Sequence, residues 1–191
     1  MILCVAAHEF VKNLLQTMPR NYFEIGVFDG DNVGKLSQQF PHVEFYGCDP
    51  FIEDGCTTHL TQQPKGTDIT NQRDSAINNF NRPNAHLIME LSQDYADMES
   101  DQALKDMNIG YVLIDGDHSY EAAAQDSELA MRLIRGASPV IIWDDVNLAD
   151  SVGRACAEWQ TKYADQIVEC IDIYPNEPGH ILAFIMRDQD E

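Results

Sequence analysis

Residues 109–146 read IGYVLIDGDHSYEAAAQDSELAMRLIRGASPVIIWDDV. An apolar run, IGYVLID (109–115), breaks at Gly116 into a polar turn. Ser119 can cap the helix that follows, Glu121 suits the positive end of its dipole, and Leu129, Leu133 and Ile134 supply part of a buried stripe. The turn RGASPV then leads into a second apolar run, PVIIWDD (139–145). Strand, helix and strand in this order make one βαβ unit. It predicts two parallel strands whose carboxyl ends, and the acids there, share one edge of a sheet.

The same alternation runs along the rest of the chain. Strands are expected at 22–27 (YFEIGV), 43–49 (VEFYGCD), 86–91 (HLIMEL), 167–174 (IVECIDIY) and 180–186 (HILAFIM), in addition to the two above. Several are near-continuous apolar runs, as strands covered on both faces require. Helices are expected at 8–18, 31–40, 67–82, 94–105, 119–134 and 151–165. The link PNEPG (175–179) is too short for a crossover helix, so the last two strands should be antiparallel. The expected fold is α/β: a Rossmann-like three-layer sandwich around a seven-stranded, mostly parallel sheet with the last strand antiparallel. At 191 residues, one domain over 1–191 is expected. The polar, irregular stretch 52–66, with Pro64 and Gly66, reads as a mobile flap.

Twelve Lys and Arg stand against 32 Asp and Glu, a formal net charge of −20. Such a surface repels nucleic-acid phosphate and anionic membranes and attracts cations, so neither nucleic acid nor membrane is expected as a partner. The five cysteines, Cys4, Cys48, Cys56, Cys156 and Cys170, are odd in number and form no C-x-x-C pair. They read as free thiols in a reducing compartment, with Cys48, Cys156 and Cys170 at core positions. MILCVAAHEFVKN at the N-terminus lacks a signal-peptide pattern, and no apolar run approaches the ~20 residues that span a bilayer. The expected location is cytoplasmic.

EIGVFDGDNVG (24–34) follows the first strand and opens a helix. Gly26 and Gly30 let the backbone turn tightly and admit a ligand close to the main chain. The spacing is E-x-G-x-x-x-G, not G-x-G-x-x-G, so a plain strand-to-helix turn stays an equal alternative. Asp49 ends the second strand in YGCDPF, where a carboxylate could accept from both hydroxyls of a ribose; a turn acid ahead of Pro50 is the other reading. Glu24 lies inside an apolar strand and needs partners, either a cationic ligand or amides of the glycine turn. Asp29 and Asp31 would repel a pyrophosphate, which favours a cofactor without phosphates over NAD. Ser92 and Gln93 are placed to meet a base edge, unless Ser92 caps the next helix. The expected cofactor-binding set is Glu24, Gly26, Phe28, Gly30, Asp49, Pro50, Ser92 and Asp115.

Asp115, Asp117, Asp144 and Asp145 gather at the ends of two strands expected to be adjacent. Crowded carboxylates raise one another's pKa. Either they point into water as caps, or a hard divalent cation such as Mg²⁺, Ca²⁺ or Mn²⁺ sits among them; no His/Cys set has zinc spacing. A hydroxyl bound to such a cation becomes a stronger acid, and Asp117, two residues past the candidate ligand Asp115, is placed to take its proton. His118 could share that role or bond to backbone or cofactor, and Tyr120 reads as a helix-packing residue.

FEIGVFDGDN, YGCDPF and IDGDHSYEAAAQDSELAMRLI followed by VIIWDDV together resemble the class I S-adenosylmethionine-dependent methyltransferases. Within them they are similar to the macrocin-type sugar O-methyltransferases. The resemblance covers roughly 20–186. It implies that Glu24, Gly26 and Gly30 hold the methionine portion of S-adenosylmethionine and that Asp49 holds the ribose. It also implies that Asp115, Asp144 and Asp145 bind the metal, Mg²⁺ in the first instance, and that Asp117 is the base. Catechol O-methyltransferase has a similar arrangement, with Asp-Asn where this chain has Asp144-Asp145. The chain lacks that branch's N-terminal extension, and RGASPV stands where a Pro-Gly-Gly turn is usual. The expected activity is metal-assisted methyl transfer to a small hydroxylated molecule, sugar-like or phenolic, with homo-oligomeric association open. A nicotinamide-dependent dehydrogenase and a non-catalytic nucleoside-binding domain are the alternatives.

Overall fold

A computed structural model describes residues 3–51, 69–173 and 180–188. Seven strands form one sheet: β1 (Asn21–Ile25), β2 (Phe45–Cys48), β3 (Ala85–Ile88), β4 (Ile109–Ile114), β5 (Val140–Trp143), β6 (Ile167–Ile173) and β7 (Ile181–Met186). Their order is β3-β2-β1-β4-β5-β7-β6. β1 pairs in parallel with β2 and β4, β2 with β3, and β4 with β5. β7 inserts between β5 and β6 and runs antiparallel to both. All seven expected strands are present, and the last is the antiparallel one. The expected flap and the PNEPG link lie outside the described residues.

Helices cover both faces. α1 (Leu3–Thr17), α2 (Asp31–Gln39) and α3 (Ile69–Asn79) lie on one side. α4 (Ser92–Met98), α5 (Asp101–Asp106), α6 (Tyr120–Leu133) and α7 (Asp150–Lys162) lie on the other. Alternation along the strands divides the core accordingly. Tyr111, Leu113, Val140 and Ile142 join Val11, Leu15, Val33 and Leu36 on the first face. Val112, Ile114, Ile141 and Trp143 join Leu129, Leu133, Cys156 and Trp159 on the second. Every residue of β4 and β5 is buried, which is why these runs read as continuously apolar rather than alternating.

Two expectations need correction. The helix expected at 94–105 is two helices, because Glu99 and Ser100 are extended and the Ser100 side chain accepts from Ala103 N at 3.1 Å. A serine that bonds to the backbone two or three residues on starts a helix in preference to continuing one. Cys170, expected in the core, is exposed. It sits on β6, the sheet's outer strand, whose central residues face solvent. Cys48 and Cys156 are buried free thiols as expected. Cys56 lies outside the described residues. Among the described residues no helix is long and apolar enough to cross a membrane.

Candidate active site

Strand order reverses between β1 and β4, and in an open parallel sheet ligands bind beyond the carboxyl ends at such a point. The β1–α2 turn lies there. Gly26 has φ +85°, and a Cβ on it would stand 2.1 Å from the carbonyl oxygen of Asp115. Only glycine permits both the dihedral and this approach. The turn after β1 and the turn after β4 therefore share a wall. Asp49 ties the next loop to it: Oδ2 accepts from Val27 N and Phe28 N, both at 3.0 Å, and Oδ1 from Phe51 N at 2.9 Å. Phe28 and Phe51 hold left-handed backbone, φ 54° and 47°, a costly conformation that these bonds help to maintain. Phe28 projects from this turn with 53% of its surface exposed. Burial pushes the Asp49 carboxyl up, and the three amide donors pull it back.

Glu24 is buried beneath the turn. Its partners are side chains rather than amides of the glycine turn: Tyr22 Oη donates to Oε2 at 2.7 Å and Asn32 Nδ2 at 2.6 Å. His8 Nδ1 in turn meets Asn32 Oδ1 at 2.7 Å, linking α1 to α2 and β1. Burial outweighs these bonds and raises the Glu24 carboxyl to about 7.

β4 and β5 bring the second group of acids alongside. Asp115 N donates to Ile25 O and Asp144 N to Ile114 O, so the ends of β1, β4 and β5 stand in register. Asp115, His118 and Asp145 each offer one ligand atom, all within 4.8 Å of one another. His118 Nε2 lies 3.3 Å from Asp145 Oδ2. Asp145 holds φ 56°, which turns its carboxyl away from the direction a continued strand would give it. Two atoms of the cluster, Asp145 Oδ1 and His118 Nδ1, are buried with no hydrogen-bond partner among the described residues, although a buried polar atom ordinarily finds one. Burial, then Asp144, Asp145 and Glu24, push the Asp115 carboxyl well up. Burial, then Asp145, raise Asp144 to about 7. Burial raises Asp145 against the pull of His118. Two carboxylates and an imidazole, crowded and partly unpartnered, fit a divalent cation.

The methyltransferase-domain family matches residues 23–146, which run from β1 through the Asp144-Asp145 pair. The chain belongs to this family. An uncharacterised protein of Acanthamoeba polyphaga mimivirus is 25% identical over 186 residues, covering 92% of this chain and 78% of its own. Among solved structures, the calicheamicin methyltransferase CalS11 superposes with TM-score 0.61 at 12% identity, over 94% of this chain and 77% of that one. The N-methyltransferase NodS of Bradyrhizobium japonicum, solved with S-adenosylhomocysteine, gives 0.57 at 10%, over 94% and 85%. The O-MT segment of StiE gives 0.58 at 11%, over 98% and 76%. At these identities the likeness is one of fold, and the sheet and helix layers match the Rossmann-like methyltransferase architecture.

In this methyltransferase domain, the expected cofactor residues Gly26, Phe28, Gly30, Asp49 and Pro50 lie on the β1 and β2 turns, with Glu24 beneath them. Asp117 sits at the foot of α6, where its Oδ1 accepts from Ser119 N at 2.6 Å. Asp144 stands outside the three-residue cluster; its Oδ1 accepts from Asp145 N at 2.8 Å, and His118 takes the third place. Ser92 neither caps α4, where Leu91 is the cap residue, nor faces solvent: it is buried, and its hydroxyl donates to Asp126 Oδ1. Asp126 is a buried acid that sequence reasoning passed over. Its signal was its position on the apolar stripe of α6, three residues from Ala123 and three from Leu129. Asn32 and His8 carried no such signal, because their link to Glu24 spans separate elements.

Proposed function

We propose that this domain is an S-adenosylmethionine-dependent O-methyltransferase of the macrocin-type branch. In this reading Asp115, His118 and Asp145 hold a hard divalent cation, Mg²⁺ or Mn²⁺, and the acceptor is a small hydroxylated molecule, sugar-like or phenolic. The observation that carries it is the convergence of Asp115, His118 and Asp145, one potential ligand atom each within 4.8 Å of one another, one wall away from the glycine turn. Family membership supports methyl transfer. NodS, a protein of the same fold, was solved with S-adenosylhomocysteine, and CalS11 is described as a TDP-rhamnose 3'-O-methyltransferase.

The residues divide the work. The acidic edge suits a sulfonium cofactor. The three backbone amides take both acceptor sites of Asp49 Oδ2 and one of Oδ1, which leaves one on Oδ1 for a ribose hydroxyl. A bound divalent cation acidifies a hydroxyl coordinated to it. Asp117, fixed through Oδ1, accepts the acceptor's proton on Oδ2, which has no partner among the described residues. The acceptor oxygen then forms its bond to the methyl carbon as the sulfur–carbon bond breaks, and S-adenosylhomocysteine leaves. What else the chain contributes is alignment and exclusion of water.

Thermal melting tests the proposal. S-adenosylhomocysteine should raise the melting temperature and NAD should not; the reverse would overturn methyl transfer. Mg²⁺ or Mn²⁺ should stabilise the wild type but not Asp145→Ala or His118→Ala, and an equal response in all three would remove the metal from the proposal. Asp117→Asn should lose turnover with S-adenosylhomocysteine affinity nearly unchanged.

A further inference from the structure

The opposite edge of the sheet carries a second cleft, of about 290 Å³, lined by Pro19, Arg20, Asn21, Asn108, Arg135 and Gly136. Pro19 to Asn21 enter β1, Asn108 precedes β4, and Arg135-Gly136 follow α6 on the way to β5. The cleft thus lies at the amino ends of the strands, a full strand length from the acidic site. In a chain of net charge −20, the described residues that line it include two arginines and no acid.

The site is built to hold Arg20 in one place. A Cβ at Gly110 would stand 2.4 Å from Arg20 Cδ, and one at Gly136 would stand 2.7 Å from its Nη1. The two glycines therefore leave a channel along which the Arg20 stem lies flat with its planar head over Gly136. Gly136 also holds φ +78°, which a side chain would strain. Among the described residues Arg20 has no carboxylate partner, and its hydrogen bond is a long one, 3.5 Å from Nη1 to Arg135 O. A guanidinium presents five N–H donors in a fork that matches two oxygens of one anion. A group so placed, next to a second arginine, has most of its donors still to satisfy.

We propose that this cleft binds a phosphate group, separately from the methyl-transfer site. The fork of Arg20 matches paired phosphate oxygens better than chloride or a single-oxygen ligand, and Arg135 beside it adds positive charge to the cleft. The cleft exceeds the size of a bare phosphate, which leaves room for a small group attached to it.

The experiment is a titration of the full chain with inorganic phosphate at constant ionic strength, followed by calorimetry and thermal melting. Saturable binding and a rise in melting temperature are expected, with no rise in sodium chloride of the same ionic strength. Arg20→Gln and Arg135→Gln should each weaken phosphate binding by about tenfold, the worth of one charge-assisted hydrogen bond. Arg20→Lys keeps the charge and the packing over Gly110 and serves as the folded control; several-fold weaker binding is expected there as well. S-adenosylhomocysteine affinity should be the same in all variants. A parallel titration with glycerol 3-phosphate separates the sources: tighter binding identifies a phosphorylated small molecule, and equal binding identifies free phosphate. An equal response to chloride, or phosphate binding undiminished in Arg20→Gln and Arg20→Lys, overturns the proposal.

Discussion

Asp126 shows how one residue can couple two turns. It is 2% exposed on α6, with Oδ1 accepting from the Ser92 hydroxyl. A Cβ on Gly116 would stand 2.7 Å from its Oδ2. The turn after β3 and the turn carrying Asp115 to His118 are therefore packed against the same carboxyl. Burial, with the Asp117 charge adding, pushes that carboxyl to about 7, against the Ser92 bond. Asparagine can keep the contact to Ser92 without the buried charge. Alanine removes the acceptor and strands the hydroxyl, a loss of roughly 1–3 kcal/mol. At pH 8, urea midpoints should place Asp126→Asn at or above the wild type and Asp126→Ala below it by about that amount. A midpoint for the alanine variant equal to wild type would show that the carboxyl holds nothing.

At the scale of elements, the first turn of α6 is what aims the site. Ser119 caps the helix by accepting from Ala122 N at 3.3 Å, while its own N–H donates to Asp117. Ser151, at the start of α7, donates from its hydroxyl to the His118 carbonyl at 2.5 Å. The side chain of Asp117 and the backbone carbonyl of His118 are thus gripped by the amino ends of two helices. Ser119→Ala should cost about 1 kcal/mol of stability, the usual worth of a serine N-cap. Chemical denaturation measures it. Because the cap holds the segment that carries Asp117 and His118, turnover should fall further than that loss of folded protein explains. A fall only in proportion to the folded fraction would mean that the cap serves stability alone.

For the whole molecule the acids set the response to pH. Glu24 and Asp144 are raised to about 7 and Asp115 well above its ordinary value, all chiefly by burial. Asp126 and Asp145 are raised for the same reason. A carboxyl whose folded pKa exceeds its unfolded value binds more protons when folded. The stability it contributes is full below the unfolded value, 3.8 for Asp and 4.5 for Glu, and is lost as pH rises through the folded value, about 7 for Glu24, Asp126 and Asp144. The metal-free protein should therefore melt several degrees higher at pH 5.5 than at pH 8. Mg²⁺, which binds the deprotonated acids, should narrow that gap. A melting temperature that is flat or rising over this interval would contradict the burial of these groups. From its sequence alone the protein's strands, its layers, its antiparallel last strand and the gathering of glycines and acids at the carboxyl ends could be read, because side-chain period and link length are local properties of the chain. The insertion of β7 between β5 and β6, the exposure of Cys170 on the outer strand, and the replacement of Asp144 by His118 in the cluster were decided only in three dimensions. The order of strands and the left-handed turn at Asp145 determine which side chains converge, and both depend on contacts between segments that no spacing along the chain encodes.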